Sequence, residues 1–456
     1  MQEPHINWPA VLNVAVVLIF LIQMTMTPEG TSRVDQWDEP VGGEPRAETY
    51  CTAEDQSFGR AILIWARRLV AAYEGSSTWV ALEGNNRQSL ESGSVLKVLS
   101  WNIDWSSAGT EARATAALEH LQGLFGEVQD PFVVMFQEVR RESLQVILEN
   151  PWVQRNFVLS NTKAPESLYT SIPGDSFIFK RLDWKAASYF SLLMISRNLT
   201  IENCFRIPFV TQMGRDALVV DIPVFSSREQ TESKECLRLC TTHLESLWSG
   251  KAYRPGQLGL ISTLLKGVPT MKSRIVAGLV GGDMNAIDRP EHDFHRAIDV
   301  DLQDAWEDVP APPIPVLKPF QKDFSYGRAR GNTWGYQSRK SRERKRIDKF
   351  LYTGSLETVA LDEAQDVMGR LGRVGIGLKT ELDVWEKETV EEPAVRGKYV
   401  EKPHKRYFSQ HEAASLREMG LLGQRELVRT RVNAWVSDHF GIAVGVKVLR
   451  ERLSTP

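Results

Sequence analysis

Six segments place Asn, Asp, Glu or His at the end of an apolar run: Ser100–Asp104 (SWNID), Phe136–Val139 (FQEV), Thr241–Ser246 (TTHLES), Gly281–Asp288 (GGDMNAID), Arg346–Phe350 (RIDKF) and Ser437–Gly441 (SDHFG). Polar groups at strand ends converge on one rim of a sheet, and they are costly to bury unless paired or metal-bound. Any one of these segments is a common strand end. All six in one domain describe a single site. The residue types suit phosphodiester hydrolysis, which must aim a water in line and neutralise charge on the phosphoryl oxygens. Mg²⁺ is held by one or two carboxylates, waters and phosphate. Glu138 is the natural first ligand, with Asp104 as a second or water-mediated one. Asp283 can orient and deprotonate the attacking water. Asn285 and Asn102 can hold that water or a phosphate oxygen without adding charge. A cationic His439 donates to a non-bridging oxygen, and Asp348 or Asp438 supplies the carboxylate that keeps it charged. His243 is a further phosphate donor or a packing histidine.

The elements that must position these residues are strands and helices in alternation. SVLKVLSWNI, PFVVMFQEV, YFSLLMIS, ALVVDIPVF, LRLCTTHL, RIVAGLVGGDMNAI, RIDKFLY and FGIAVGVKVL read as strands, whereas EARATAALEHLQGLF and QLGLISTLLKGV read as helices. Many strands, few helices between them and polar strand ends predict an α+β fold with two packed sheets and helices outside. Residues 94–450 form this catalytic domain, with a charged insertion near 369–429 that breaks the strand rhythm.

The segments before it are different. Residues 1–27 are a hydrophobic leader, with nine consecutive apolar residues from Val14 to Ile22. That length suits a signal-peptide core, although no Lys or Arg precedes it and no A-x-A pattern follows. A signal or membrane anchor through residues 9–26 and a dispensable leader both stay open. Residues 28–57 read as a disordered linker. Residues 58–93 are a helix and connector, with Ile62, Trp65, Ala66, Leu69 and Tyr73 on one face and the helix ending near Gly75.

The whole chain has 456 residues, 55 Lys+Arg against 58 Asp+Glu, and 42% hydrophobic residues. This excludes a wholly disordered chain, a collagen, a multi-span membrane protein and a globally basic nucleic-acid coat. Four cysteines are too few for a disulfide scaffold. The charge is local: Arg328, Arg330, Arg339, Lys340, Arg342, Arg344, Lys345, Arg346 and Lys349 crowd one stretch. It reads as a DNA groove, a nuclear-import signal in RKSRERKR, or a solvated loop. Trp334, and Trp105 with it, can stack on an unpaired base.

In this order the segments, with IPF followed by an Arg-containing turn and LVV, DAW (Asp304–Trp306) and NTW (Asn332–Trp334), resemble the endonuclease/exonuclease/phosphatase superfamily. Within it they resemble the tyrosyl-DNA phosphodiesterase 2 family, over about Val95 to Val448. The pairing of WNID with THLES is the most specific part. The resemblance implies a DNase I-like four-layer α/β/β/α sandwich and Mg²⁺ as cofactor, with Mn²⁺ able to substitute. It also implies nuclear DNA repair by cleavage of 5′-phosphotyrosyl topoisomerase II adducts, leaving a 5′-phosphate. By motif match Asn102, Asp104, Glu138, Asp283, Asn285, Asp348 and His439 inherit the active site. Ile103, Trp105 and Ser106, the run Leu244, Glu245, Ser246 to Ser249, and Asn285, Ala286 and Ile287 would line the path of the DNA 5′ end and its single strand. Arg215 is scaffold or phosphate contact. A phenolate with a conjugate-acid pKa of about 10 leaves readily, which suits one metal, one base and a cationic His.

There are departures. Trp105-Ser106 stands where the family has a small residue, Ala286-Ile287-Asp288 where it has Leu-Arg-Asp, and Leu247-Trp248 where close relatives are polar. An abasic-site endonuclease, an RNA deadenylase, a phosphoinositide phosphatase, or a membrane-anchored protein with a vestigial site are the alternatives.

Overall fold

The computed structural model describes residues 71–449, except 75–77, 82–87, 105, 172–180, 226–234, 268–272, 289, 308–330, 338–343, 388–406, 409–413, 415–416 and 420–426. The leader, the linker and most of the expected N-terminal helix lie outside the described residues, as do Trp105 and the core of RKSRERKR. No helix among the described residues is long and apolar enough to cross a membrane.

In chain order the elements that build the site are β1 (Leu96–Asn102), α1 (Thr110–Phe125), β2 (Phe132–Val139), α2 (Arg141–Glu149), β3 (Phe190–Ser196), β4 (Asp216–Phe225), β5 (Glu235–His243), α3 (Arg254–Lys266), β6 (Arg274–Asp283), β7 (Asp348–Gly354), β8 (Lys379–Lys387), β9 (Leu427–Trp435) and β10 (Gly441–Val448). Among the described residues the first sheet has ten strands around the order β10–β1–β2–β3, and the second has seven around β4–β5–β6–β7. Each sheet has one parallel pair at its centre, β1 with β2 and β5 with β6, flanked by antiparallel neighbours.

Side-chain alternation divides the apolar residues among three layers. Val98, Val133, Leu193, Val220, Leu239, Leu279, Phe350 and Val444 fill the space between the sheets. On the outer face of the first sheet, Leu99, Trp101, Val134 and Leu192 pack against Leu118 and Leu121 of α1 and Leu144 and Ile147 of α2. On the outer face of the second, Val219 and Val280 pack against Leu258, Ile261 and Leu265 of α3. This is the expected sandwich of two packed sheets flanked by helices.

The glycines of GGD are needed for close approach. A Cβ on Gly281 would lie 2.4 Å from the Phe350 ring, and one on Gly282 only 1.9 Å from the Thr242 carbonyl oxygen.

Three sequence expectations are corrected. Ala71–Glu74, expected as the last turn of the N-terminal helix, is a strand paired with Thr78–Ala81 and Phe157–Leu159. The residues that looked like a helical stripe end in a strand paired on both sides, because backbone pairing is available there. The 369–429 segment is not wholly an insertion, since Leu371–Val374 pairs with β10 inside the first sheet. Beyond it, β8 and β9 form an antiparallel ribbon, joined by Tyr407–Phe408. The ribbon buries Leu382 and Val384. The basic stretch is partly spent on internal pairing. Arg346 binds Asp304 at 2.7 Å, and Lys349 is buried beside the same carboxylate at 3.3 Å, so these two cations do not face a groove.

Candidate active site

Strand register assembles the rim. Asn102 pairs with Gln137 across β1 and β2, His243 with Asp283 across β5 and β6, and Asp283 with Asp348 across β6 and β7. β10 begins two residues after His439, so the SDH turn closes over the same edge. Asp104, Glu138 and Asn285 all take positive φ (54°, 62° and 48°), conformations that cost energy for residues with a Cβ. Asp104 and Asn285 lie just past the ends of β1 and β6, and Glu138 lies where the register of β2 with β3 shifts.

Asp283 is the hub. Its Oδ2 accepts from Asn102 Nδ2 at 3.2 Å, and lies 3.4 Å from His243 Nε2 and 3.7 Å from His439 Nε2. Its Oδ1 accepts from the Asn285 backbone N–H at 2.9 Å. Burial, then Asp348, push its pKa above the usual carboxylate range, against the pull of His439.

The two histidines are set apart by their partners. His439 Nδ1 donates to Asp348 Oδ2 at 2.9 Å. Burial opposes its charge, but Asp348 and Asp438 outweigh it and hold the ring well above its ordinary pKa. His439 is therefore an imidazolium. The backbone N–H of His439 donates to Ser437 Oγ, and Thr333 Oγ1 donates to Asp348.

His243 Nδ1 lies 2.8 Å from Arg215 Nη1. Guanidinium cannot accept a hydrogen bond, so Nδ1 is the acceptor and the ring proton sits on Nε2. Burial, then Arg215 and His439, hold this ring neutral.

Ser246 follows from the same reasoning. Its Oγ receives Arg215 Nη2 at 2.7 Å and Asn285 Nδ2 at 3.1 Å. With both lone-pair positions taken, its hydroxyl can only donate. Arg215 also lies over the Tyr189 ring at 5.0 Å, and both line a small cleft with Glu138 and His243.

Asp104 and Glu138 form the acidic side. Asp104 accepts from Ser106 Oγ at 2.8 Å, from Ser107 Oγ and, through its backbone N–H, anchors on Asn102 Oδ1 at 3.1 Å. Burial, then Asp104 and Asp438, push the Glu138 carboxyl up to about 8. Asp438 itself accepts from Trp334 Nε1 at 3.0 Å and is raised by burial. Crowded hard oxygen donors of this kind suit a divalent cation. Asp283, Asp348 and His439 also bring ligand atoms within 4.8 Å of one another, and the Asp348 Oδ1 is buried without a protein partner. These acidic and histidine groups are able to bind a metal.

Some expected lining residues do not face the path. Glu245 is 1% exposed, its carboxylate bound by Thr211 Oγ1 and the Gln212 backbone N–H. It braces the loop before β4 because a buried carboxylate must be paired. Ile103, Leu244 and Ala286 are buried apolar side chains, the first two inside the outer-layer cores. Ile287 is half-buried and gives its backbone N–H to Glu291. Ser106, Ser246, Leu247, Trp248 and Trp334 retain surface at the rim. The sequence reading did not single out Arg113, Thr333 or Ser437, which hold the site from behind. Ser437 and Thr333 carried a signal, as the first residue of SDH and the middle residue of NTW.

The family model for the endonuclease/exonuclease/phosphatase family matches residues 99–439. The chain belongs to this family. Its members hydrolyse phosphoester bonds and use a divalent metal. No curated protein matches the chain in sequence. Among solved structures, it is similar to a truncated TDP2 from Caenorhabditis elegans (16% identity, 78% of this chain and 98% of that chain covered, TM-score 0.43). It is similar to D. rerio TDP2 complexed with single strand DNA product (16%, 78% and 99%, 0.43). It is also similar to a mannosyl-6-phosphatase from Bacteroides thetaiotaomicron (13%, 77% and 99%, 0.40). These likenesses assign no substrate.

Proposed function

We propose that this chain is a divalent-metal-dependent phosphodiesterase that hydrolyses 5′-phosphotyrosyl DNA adducts to 5′-phosphate ends in nuclear DNA repair. The observation that carries the reaction is the convergence of Asn102, His243 and His439 on Asp283, beside Glu138 and Asp104. Mg²⁺ held by Glu138 and Asp104 would supply charge neutralisation at the phosphoryl oxygens. Asp283 holds the attacking water and takes its proton, and its raised pKa suits that work. Asn285 sits on the Asp283 backbone-facing oxygen and fixes the carboxylate for that transfer. His439 Nε2–H, His243 Nε2–H and the Ser246 hydroxyl are donors to phosphoryl oxygens. Asp348 keeps His439 charged and oriented.

The substrate choice is supported by the joint presence of WNID and THLES and by the ease with which a phenolate leaves. Single-stranded DNA near the end would pass Ser106, Trp334 and Trp248. Nuclear location is supported by RKSRERKR; a fusion that stays in the secretory route until residues 1–30 are removed would overturn it. The test of substrate is a competition among a 5′-phosphotyrosyl oligonucleotide, abasic duplex, polyadenylated RNA and an inositol phosphate, with Mg²⁺ or Mn²⁺. Preference for the tyrosyl end by kcat/KM is expected. Preference for another ester would retain the chemistry and replace the substrate.

A further inference from the structure

Arg113 lies in the first turns of α1 with its side chain 9% exposed. Its Nε donates to the Ala108 carbonyl at 2.9 Å, and its Nη1 to the carbonyls of Trp435 and of Val436, the latter at 3.4 Å. The same Nη1 is 3.8 Å from Asp104 Oδ2. These carbonyls belong to two segments more than 300 residues apart in sequence. One is the turn after Asp104, whose Ser106 and Ser107 hold the Asp104 carboxylate. The other is the end of β9, which runs into Ser437, Asp438 and His439.

A second tie joins the same two segments, because Ser437 Oγ donates to the Asn102 carbonyl at 2.6 Å. The β8–β9 ribbon is seated here as well. Leu382 packs on Gly109, where a Cβ would lie 2.9 Å from its Cδ1 and where φ is +77°. A side chain at residue 109 would therefore push the ribbon off the turn.

We propose that Arg113 is a positioning residue: it clamps the Asp104 turn against the strand that enters Asp438 and His439, and so sets the spacing between the acidic side of the site and its cationic histidine. The ribbon is part of the same device, since β9 ends on the carbonyl that Arg113 holds. The proposal rests on the reading of Asp104 and His439 as active-site groups. It does not depend on which phosphodiester is cleaved. Arg is suited to this place because its planar fork can donate to several carbonyls at once, and Lys can meet fewer of them with poorer direction.

The test uses the full chain with Arg113→Met and Arg113→Lys, and Arg238→Met as a stability control. Arg238 is fully buried and bound to Asp221, further back along β5 from the site. Two readouts are taken. Hydrogen exchange at the amides of residues 106–109 and 436–439 reads the clamp with no substrate present. Steady-state kinetics on a 5′-phosphotyrosyl oligonucleotide and on bis(p-nitrophenyl) phosphate, below the melting range of every variant, read positioning.

Arg113→Met should speed exchange at both segments about tenfold or more, lower kcat by at least about tenfold and leave KM within about twofold. Arg113→Lys should recover part of the kcat. Arg238→Met should lower the melting temperature without either local change. Unchanged exchange at the two segments would overturn the proposal whether or not any substrate is turned over. Faster exchange with unchanged kcat would overturn it too, leaving Arg113 a stability residue. If the wild type cleaves bis(p-nitrophenyl) phosphate but not the tyrosyl end, the substrate reading fails and the kinetic test still stands. If it cleaves neither, the functional reading fails and the exchange result alone decides the clamp.

Discussion

Among the described residues two acidic clusters each bring three ligand-type side chains together, and they are electrostatic opposites. Asp283, Asp348 and His439 form one, and His295, Asp304 and Glu307 the other. In the second, cations already occupy the carboxylates: Arg346 and Lys349 bind Asp304, and Arg296 binds Glu307, with the ring of His295, its pKa lowered by burial, hydrogen-bonded beside it. Burial alone would raise the Asp304 pKa, but Arg346 and Lys349 pull it below its ordinary value. Lys349 in turn is lowered to about 8 by burial. The first cluster is left short of positive charge. Burial raises Asp283, and it drives nearby Glu138 to about 8. A cluster that neutralises itself serves the fold, whereas one that waits for charge serves a ligand.

The strongest way to break this contrast is a reciprocal pair of variants. Asp283→Asn should lower kcat by about 10³-fold, the range expected for loss of a general base, with no loss of folding free energy. Asp304→Asn should do the reverse, costing about 3 kcal/mol in urea titration by stranding Arg346 and Lys349, with kcat per folded molecule unchanged. Inactivation by Asp304→Asn under fully folded conditions would erase the distinction.

The metal sharpens it next. Mg²⁺ at a hundred times its dissociation constant should stabilise the wild type by about 2.7 kcal/mol. Glu138→Gln should lose both that shift and nearly all activity, and Asp304→Asn should keep the shift. A full Mg²⁺ shift in Glu138→Gln would move the metal elsewhere.

A pH effect follows from Glu138. Its carboxyl titrates near 8 in the metal-free fold against an ordinary 4.5, so the folded chain binds more protons over that interval. Stability from this group is complete below about 4.5 and is lost as pH rises to about 8, by a few kcal/mol at most. Urea midpoints in chelator should fall from pH 5 to pH 8, and the fall should shrink in Glu138→Gln. The smallest expected effect is Ser246→Ala, which removes one neutral donor and should lower kcat/KM about tenfold. An unchanged kcat/KM would show that the hydroxyl does not reach the substrate.

Much of the site was legible because strand ends advertise it. WNID, FQEV, GGD and SDH each mark the last residue of an apolar run, and register does the rest. The lining was harder to read. Leu244 and Ala286 sit beside functional residues in sequence yet are buried, Leu244 in the apolar layer under α3, because they lie past the ends of β5 and β6, where strand alternation no longer tells which way a side chain faces. Glu245 could not be told from a substrate contact until its partners Thr211 and Gln212 were placed, 33 to 34 residues away. Arg113 looked like one charge on a helix face, because its partners at Trp435 and Val436 come from the far end of the chain. The Ala71–Glu74 strand was hidden by a helical stripe that tertiary pairing overrides at its end.

The most direct test of the account is a single-turnover measurement on a 5′-phosphotyrosyl oligonucleotide, with Mg²⁺ and with chelator, for the wild type and Asp283→Asn. The account predicts tyrosine release leaving a 5′-phosphate, dependent on Mg²⁺ and on Asp283. Release that survives chelator or the Asn substitution would contradict it.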